Sequence, residues 1–175
     1  RDMLLLRKGG AEHWVVAKGA WDKLLELLAP PVKLAEEEGV HLVLETGNNA
    51  MVPSGYLGGK LIREIASPNL KILWDPANSL YANEKTFPDG YDALGIENIG
   101  HIHIKDALVD MPKATVEFCE LGAGDMAGCL SPLAEKLNAD GYNGHISLES
   151  VYRPDGGDFE AGFKASVGLF KELYT

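Results

Sequence analysis

The stretch GHIHIKDA, residues 100–107, places chemically different side chains on the two faces of one predicted strand. Successive side chains of a strand point to opposite faces, so His101, His103 and Lys105 share one face and the two isoleucines share the other. A short, mostly apolar strand with three basic groups on one face turns that face either to solvent or to a functional site. The stretch by itself leaves both interpretations open.

Strand and helix patterns alternate on both sides of this stretch. Short apolar runs predict strands at residues 2–7, 40–45, 70–75, 101–105 and 144–149. Apolar residues at helical spacing predict helices at residues 20–38, 54–66, within 88–98, at 129–140 and at 158–174. This order predicts an α/β fold with a parallel sheet, as either a doubly wound open sheet or part of a (β/α)8 barrel. No glycine-rich phosphate loop follows the first strand, which disfavours a nucleotide-binding Rossmann fold.

Three segments are predicted from weaker patterns. Residues 11–19 are expected to form a loop with a short extended piece at 14–17. A long loop is expected to follow the strand at 101–105 and to run to about Met126. Pro30 and Pro31 are expected to kink or break the first helix, because proline disrupts the hydrogen bonding of a helix interior.

The chain has 175 residues, a length that predicts a single domain, residues 1–175. Its net charge of −10 disfavours nucleic acid or an anionic membrane as the main partner. No apolar run approaches the roughly 18–20 residues that cross a bilayer, and no signal-peptide pattern is present. Cys119 and Cys129 form no metal or redox motif and are interpreted as reduced thiols. These features predict a cytoplasmic protein with no nucleic-acid or membrane partner.

Four of the predicted strands carry a potential metal ligand at or near the carboxyl end. These residues are Glu45, Asp75, His103 and Glu149. Active sites of α/β sheets and barrels are built at that end, so four such residues on consecutive strands predict one shared site. Any single one of them can instead cap a helix or lie in a solvated loop. Three carboxylates and one imidazole form an oxygen-rich set of ligands. Such a set suits Mn²⁺, Mg²⁺ or Co²⁺ better than it suits a structural zinc ion, which prefers thiolates and imidazoles.

The other basic groups of the opening stretch receive different interpretations. His103 lies nearer the carboxyl end of the strand and is therefore the better ligand. His101 lies one layer deeper and is interpreted as a hydrogen-bonded core histidine or a partner of the ligands. Lys105 is expected at the rim, where it reaches a substrate oxygen or pairs with a carboxylate.

Five motifs follow one another between residues 43 and 149. They are VLETGNN (43–49), WDPANSL (74–80), HIHIKDA (101–107), LGAGDMAG (121–128) and ISLE (146–149). Together they resemble the motifs of the sugar phosphate isomerase/epimerase family, which has the xylose isomerase-like TIM barrel. The resemblance implies a TIM-type (β/α) barrel with one divalent metal ion bound by Glu45, Asp75, His103 and Glu149. It also implies that the two glutamates act as the catalytic acid/base groups.

The resemblance implies an isomerase or epimerase of carbohydrate metabolism that acts on a keto sugar or a related polyol. One glutamate removes a proton next to the carbonyl and the other returns it to the opposite face. The metal, Mn²⁺ first and otherwise Mg²⁺, Co²⁺ or Zn²⁺, stabilises the enediolate. Two alternatives stay open: a dehydratase or lyase of an inosose or keto-glycoside, and a non-catalytic partial barrel that acts as a subunit. An endonuclease of the same fold is disfavoured by the net charge of −10 and the five histidines.

Two positions depart from the pattern of the family epimerases. Asn78 stands where those enzymes often carry a histidine, and Val109 stands where they carry an arginine. The candidate substrate-binding residues are therefore Asn78, Lys105 and Arg153. Asn78 can still hydrogen-bond a hydroxyl group, and Arg153 can supply a positive charge from another loop.

The chain is short for the fold that it resembles. A complete (β/α)8 barrel takes about 250 residues, and five strands correspond to the fourth to eighth strands of such a barrel. The first three strand–helix units are then missing, and the open sheet edge invites pairing with another chain. The sequence therefore predicts either a fragment of a longer chain or a homo-oligomer that completes the barrel, with a small sugar as its substrate.

Overall fold

The computed structural model describes residues 3–8, 11–16, 18–47 and 50–175, with side chains from residue 19 onward. Asp2 and Ala17 of two predicted extended segments, and Asn48 and Asn49 of VLETGNN, lie outside the described residues. The strands are β1 (Met3–Lys8), β2 (Ala11–Val16), β3 (Leu42–Glu45), β4 (Leu70–Trp74), β5 (Ile99–Ile104), β6 (Asp106–Asp110), β7 (Thr115–Cys119) and β8 (His145–Leu148). The helices are α1 (Lys18–Glu38), α2 (Gly55–Ile65), α3 (Pro76–Ser79), α4 (Tyr91–Leu94), α5 (Ala127–Ala139) and α6 (Phe159–Tyr174). Across these residues, no helix combines the length and the apolar character that a membrane span requires.

Four parallel strands form the central sheet, in the order β3, β4, β5, β8. The register places Glu45 beside Leu73 and His103 beside Ser147. Because all four strands run in the same direction, their carboxyl ends meet at one end of the sheet. The helices between the strands complete the alternating order, so the predicted α/β class with a parallel sheet is confirmed.

One face of the sheet is covered by helices and forms the core. Trp74 of β4 and Ile102 and Ile104 of β5 are fully buried there. They belong to one apolar cluster with leucines of α2 and α5, namely Leu57, Leu61, Leu130, Leu133 and Leu137. The isoleucine face of the stretch 100–107 is therefore the helix-covered face. Its basic residues lie on the opposite face, because side chains alternate along a strand.

The ends of the first two long helices follow local sequence signals. Oγ of Ser54 accepts a hydrogen bond from the N–H of Leu57 at 3.2 Å, which caps α2. Gly39 follows α1 with a φ of 66°, a backbone conformation that glycine adopts at little cost. Helix α1 continues through Pro30 and Pro31, so of the predicted kink or break, the break does not occur.

Two antiparallel hairpins lie outside the parallel sheet. β1 pairs with β2, so the parallel sheet contains four of the five predicted strands. β6 pairs with β7 where a long loop was expected, so that prediction is wrong. The predicted helix within 88–98 is reduced to the four residues of α4. The sequence of a strand does not determine which strand it pairs with, so neither hairpin pairing was predicted.

Asp106 ties the LGAGDMAG loop to the end of β5. Its buried carboxylate accepts hydrogen bonds from the backbone N–H groups of Ala107, Gly122, Gly124 and Met126, at 2.8–3.0 Å. Gly124 lies so close that an added Cβ would be 2.4 Å from Oδ1 of Asp106 and 2.6 Å from the carbonyl oxygen of Ala107. The tight loop therefore requires glycine at this position.

Gly124→Ala is expected to lower the free energy of unfolding by about 2–4 kcal/mol, because the new methyl group displaces backbone and strains the hydrogen bonds to Asp106. Urea unfolding followed by circular dichroism measures the change. Gly128→Ala is the matched control, since a Cβ at that position in α5 meets nothing within 4 Å. Equal stabilities of the two variants would contradict the proposed close packing at residue 124.

Candidate metal centre

The four strand-end residues that were predicted as ligands converge at one end of the sheet. Glu45 ends β3, Asp75 follows β4, His103 lies in β5 and Glu149 follows β8. One ligand atom of each lies within 4.8 Å of those of the others. Nδ1 of His103 is 3.3 Å from Oε1 of Glu45 and 3.7 Å from Oε2 of Glu149. The structure thus brings the whole predicted set together.

Exposure separates the three carboxylates of this centre. The side chain of Asp75 is fully buried, at 0 % exposure. The side chains of Glu45 and Glu149 are 44 % and 34 % exposed. A small molecule can therefore reach the two glutamates, whereas Asp75 faces only protein atoms and the interior of the centre.

The backbone around Asp75 fixes its carboxylate. Oδ1 accepts hydrogen bonds from the N–H groups of Ala77 and Asn78 at 3.0 and 3.3 Å, at the start of α3. The N–H of Asp75 donates to Oγ1 of Thr46 at 2.9 Å. Asp75 is therefore both a helix cap and a candidate ligand, as both interpretations of a strand-end carboxylate allow. The supporting role of Thr46 was not predicted, and its only sequence signal is its position next to Glu45.

Lys105 is buried inside the centre, so its predicted position at the rim is wrong. Its side chain is 8 % exposed, and Nζ lies 2.5 Å from Oδ2 of Asp75 and 2.6 Å from Oε2 of Glu149. The ring centroid of Phe118, on β7, is 5.8 Å from Nζ, within reach of a cation–π interaction. Pairing with a carboxylate, one of the two roles expected for Lys105, is present in the structure.

Burial and the Lys105 ammonium act in opposite directions on the neighbouring carboxyl groups. Burial raises the pKa of Asp75 to about 7, although the nearby ammonium opposes this shift. Burial also acts to raise the pKa of Glu149, but the hydrogen bond and charge of Lys105 outweigh it and hold that pKa below its ordinary value. Burial acts to lower the pKa of Lys105, and the two carboxylates reverse the shift. The lysine is therefore an ammonium ion at neutral pH.

His101 lies beneath His103 on the same face of β5. Its Nε2 is 2.8 Å from Oγ of Ser147, and the centroids of the two imidazole rings are 5.2 Å apart, edge to face. Burial lowers the pKa of His101. The structure contains the hydrogen bond expected of His101, and a role of His101 as a partner of the ligands stays a prediction. Ser147 was not predicted, although its position two residues before Glu149 places both on the same face of β8.

The candidate substrate-binding residues have different surroundings. Asn78 is 3 % exposed, and its Nδ2 donates to the carbonyl oxygen of Thr46 at 2.7 Å, while its Oδ1 has no hydrogen-bond partner. The guanidinium of Arg153 lies 3.7 Å from the ring centroid of Phe159. Lys105 is held by two carboxylates, as described above. The substrate roles of these three residues stay predictions.

The donor atoms of the centre fit a divalent cation. Carboxylate oxygens and imidazole nitrogens bind such ions at about 2.0–2.6 Å, so ligands on opposite sides of an ion lie roughly 4–5 Å apart. The 4.8 Å spread of the four candidate atoms agrees with that geometry. Nδ1 of His103 is buried and makes no hydrogen bond, which leaves its lone pair free for coordination. These four residues could therefore hold one divalent cation.

A parallel α/β sheet with a carboxylate–histidine cluster at the carboxyl ends of its strands is typical of (β/α) barrels. The family model of the xylose isomerase-like TIM barrel matches residues 2–173. The chain belongs to the xylose isomerase-like TIM barrel family. The partial-barrel fold and the resemblance found in the sequence are thereby confirmed.

Solved structures of the same fold match the chain over about half of their own length. A xylose isomerase domain protein from Planctomyces limnophilus is 23 % identical with a TM-score of 0.68, and the match covers 87 % of this chain and 51 % of that one. D-Psicose 3-epimerase from Clostridium cellulolyticum H10 is 20 % identical with a TM-score of 0.67, with coverage of 89 % and 57 %. The probable 3-DHS dehydratase AsbF from Bacillus anthracis is 18 % identical with a TM-score of 0.61, with coverage of 80 % and 54 %. Among curated protein sequences, no significant match is found.

Proposed function

We propose that this chain carries the metal centre of a divalent-metal-dependent isomerase or epimerase that acts on a keto sugar or a related polyol. The observation that carries the proposal is the pair of accessible glutamates on either side of His103. Glu45 comes from β3 and Glu149 from β8, the two edge strands of the sheet, so they approach the centre from opposite sides. Family membership supports the proposal, and one similar structure is a D-psicose 3-epimerase.

Opposed glutamates suit a reaction that moves a proton from one face of a carbon atom to the other. One carboxylate accepts the proton next to the substrate carbonyl, and the other donates a proton to the opposite face. Lys105 holds Oε2 of Glu149 at 2.6 Å, which leaves Oε1 of that carboxylate as the oxygen available to the substrate. Glu45 and Glu149 are therefore the proposed catalytic residues.

The proposed ligands of the metal ion are Glu45, Asp75, His103 and Glu149. When bound, a divalent cation stabilises negative charge that develops on substrate oxygens during proton removal. Mn²⁺ is the first candidate, and Mg²⁺, Co²⁺ and Zn²⁺ are the alternatives. Asp75 would bind the metal ion but take no part in proton transfer, because its side chain is fully buried.

The partner in this proposal is a small sugar. Asn78, Lys105 and Arg153 stay candidate contacts to it, and the unpaired Oδ1 of Asn78 can accept a hydrogen bond from a hydroxyl group. In the described sheet, β3 and β8 each pair on one side, which supports completion of the barrel by further strands of a longer chain or by a second copy. A cytoplasmic location stays a prediction.

A dehydratase or lyase is the second candidate function. Elimination of water next to a carbonyl begins with the same proton removal, so one glutamate and the metal would serve both reactions. Similarity to a probable 3-DHS dehydratase supports this alternative. Asn78 and Val109, in place of the histidine and arginine expected of an epimerase, are compatible with a changed substrate. A partial barrel without catalytic activity is the third candidate.

Glu149→Gln tests the proposed function. The unmodified chain with Mn²⁺ is incubated in D₂O with a panel of keto sugars, and NMR follows deuterium incorporation next to the carbonyl. The variant is expected to lose at least about 10²-fold in exchange rate, because an amide cannot accept the proton. Glu135→Gln, on the outer surface of α5, is the control and is expected to keep the rate.

The products separate the candidate functions. A product with the mass of the substrate supports an isomerase or epimerase, and a product lighter by one water supports the dehydratase. Exchange by Glu149→Gln at the unmodified rate would contradict the role of Glu149. No exchange by the unmodified chain with any keto sugar of the panel would favour the non-catalytic alternative.

A further inference from the structure

Lys105 contacts two carboxylates of the metal centre more closely than His103 contacts either glutamate. Its Nζ lies 2.5 Å from Oδ2 of Asp75 and 2.6 Å from Oε2 of Glu149, whereas Nδ1 of His103 is 3.3 Å or more from either glutamate. At 8 % exposure, the lysine side chain is withdrawn from solvent. Its ammonium therefore contacts two of the three carboxylates that the proposed function assigns to the metal ion as ligands.

The charges of the centre balance only when the lysine is counted. When a metal ion binds, its three carboxylate ligands are ionised and carry three negative charges, and the candidate ligand His103 is neutral. A divalent cation supplies two positive charges and Lys105 supplies the third. In the absence of a metal ion, Lys105 is the cation in direct contact with Asp75, which is fully buried. A buried carboxylate without such a partner is strongly disfavoured.

We propose that Lys105 is the built-in counter-ion of the metal-free centre, which holds Asp75 and Glu149 in place and competes with the divalent cation for them. This inference rests on the metal site of the proposed function, but it assigns Lys105 a positioning role in place of a contact with substrate. The β6–β7 hairpin takes part, because the Phe118 ring lies over the ammonium at 5.8 Å. The hairpin thereby helps to keep the lysine inside the centre.

Removal of the lysine charge changes metal affinity in a defined direction. The metal-free centre loses the cation that compensates Asp75 and Glu149, so its free energy rises. The metal-bound centre loses a positive charge that repels the ion, so its free energy falls relative to the metal-free state. Both effects favour binding, and a variant without the charge is expected to bind the metal more tightly than the unmodified chain.

Isothermal titration with Mn²⁺ at pH 8 and fixed ionic strength measures this effect. Lys105→Met is expected to lower the Kd for Mn²⁺ by about tenfold or more. Lys113→Met is the matched control, because it removes the same charge from an exposed side chain of the β6–β7 hairpin that follows Lys105, 74 % exposed and paired with Asp110. It is expected to change the Kd by less than about twofold, since an exposed charge is screened. Lys105→Arg keeps the charge and is expected to stay close to the unmodified Kd.

The outcomes distinguish this inference from the proposed function. Tighter binding by Lys105→Met than by a metal-binding unmodified chain supports both. Equal or weaker binding by the variant contradicts the counter-ion role and leaves the metal centre supported. Binding by the variant alone supports the counter-ion role and contradicts a metal-dependent function of the unmodified chain. Absence of binding in both contradicts both.

Folding of the variant is a second readout of the same inference. Lys105→Met is expected to be less heat-stable than the unmodified chain without metal, and Mn²⁺ is expected to raise its melting temperature by more than that of the unmodified chain. If Lys105→Met does not fold, Lys105→Gln is titrated by the same criteria. Failure of both variants to fold in the presence of Mn²⁺ would contradict the proposal, because the metal ion is expected to replace the missing charge.

Discussion

Replacement of His103 by alanine is expected to weaken Mn²⁺ binding by at least about a hundredfold, because it removes a ligand of the proposed site and not a supporting contact. Nδ1 of His103 is buried, makes no hydrogen bond and faces the carboxylates of Glu45 and Glu149. No other nitrogen ligand belongs to the cluster of candidate ligands found in the described part of the chain. The three remaining carboxylates would have to bind the ion alone, at the cost of greater mutual repulsion.

His101→Ala is the matched comparison for this variant. His101 is also an imidazole of β5 on the same face, but its Nε2 is engaged with Oγ of Ser147 at 2.8 Å. Its loss removes a neighbour of the ligand ring and is expected to weaken binding by less than about tenfold, the lower end of effects seen for outer-shell partners. Isothermal titration of both variants with Mn²⁺ measures the difference. Equal effects of the two substitutions would mean that the wrong histidine has been assigned as the ligand.

Asp106→Asn is expected to lower the free energy of unfolding by about 3–5 kcal/mol, a large loss for a single substitution. The carboxylate of Asp106 accepts four backbone hydrogen bonds within a buried loop, from residues that lie up to 20 positions away in the chain. An amide in its place offers only one oxygen and directs its NH₂ group at backbone N–H donors. The two N–H groups that face the NH₂ group therefore lose their acceptor. Buried polar groups without partners are what makes the substitution costly.

Urea unfolding at neutral pH measures the loss, with Asp110→Asn as the control. Asp110 is a carboxylate of the same hairpin whose side chain is 38 % exposed and is paired with Lys113. Its replacement is expected to cost less than about 1 kcal/mol, as for other exposed ion pairs. A loss below about 1 kcal/mol for Asp106→Asn as well would show that the loop does not depend on its carboxylate.

The local pattern of the sequence was sufficient for the elements of the parallel sheet. Alternating side chains predicted HIHIK as a strand with two different faces, and helical spacing predicted α2. A polar residue at the end of each apolar run marked Glu45, Asp75 and Glu149 as candidates for one site. These features could be predicted because they depend on neighbours within a few residues, and because parallel strands bring their carboxyl ends together in any register that forms the sheet.

Tertiary structure decided which distant groups meet. The pairing of β1 with β2 and of β6 with β7 depends on contacts that neither strand's own pattern specifies. The burial of Lys105 between Asp75 and Glu149 joins three different strand ends, and the acceptance of four N–H groups by Asp106 depends on how a glycine loop folds back. Side-chain spacing along one segment determines which face a residue occupies, but the partner it meets on that face is set by the packing of segments that are far apart in sequence.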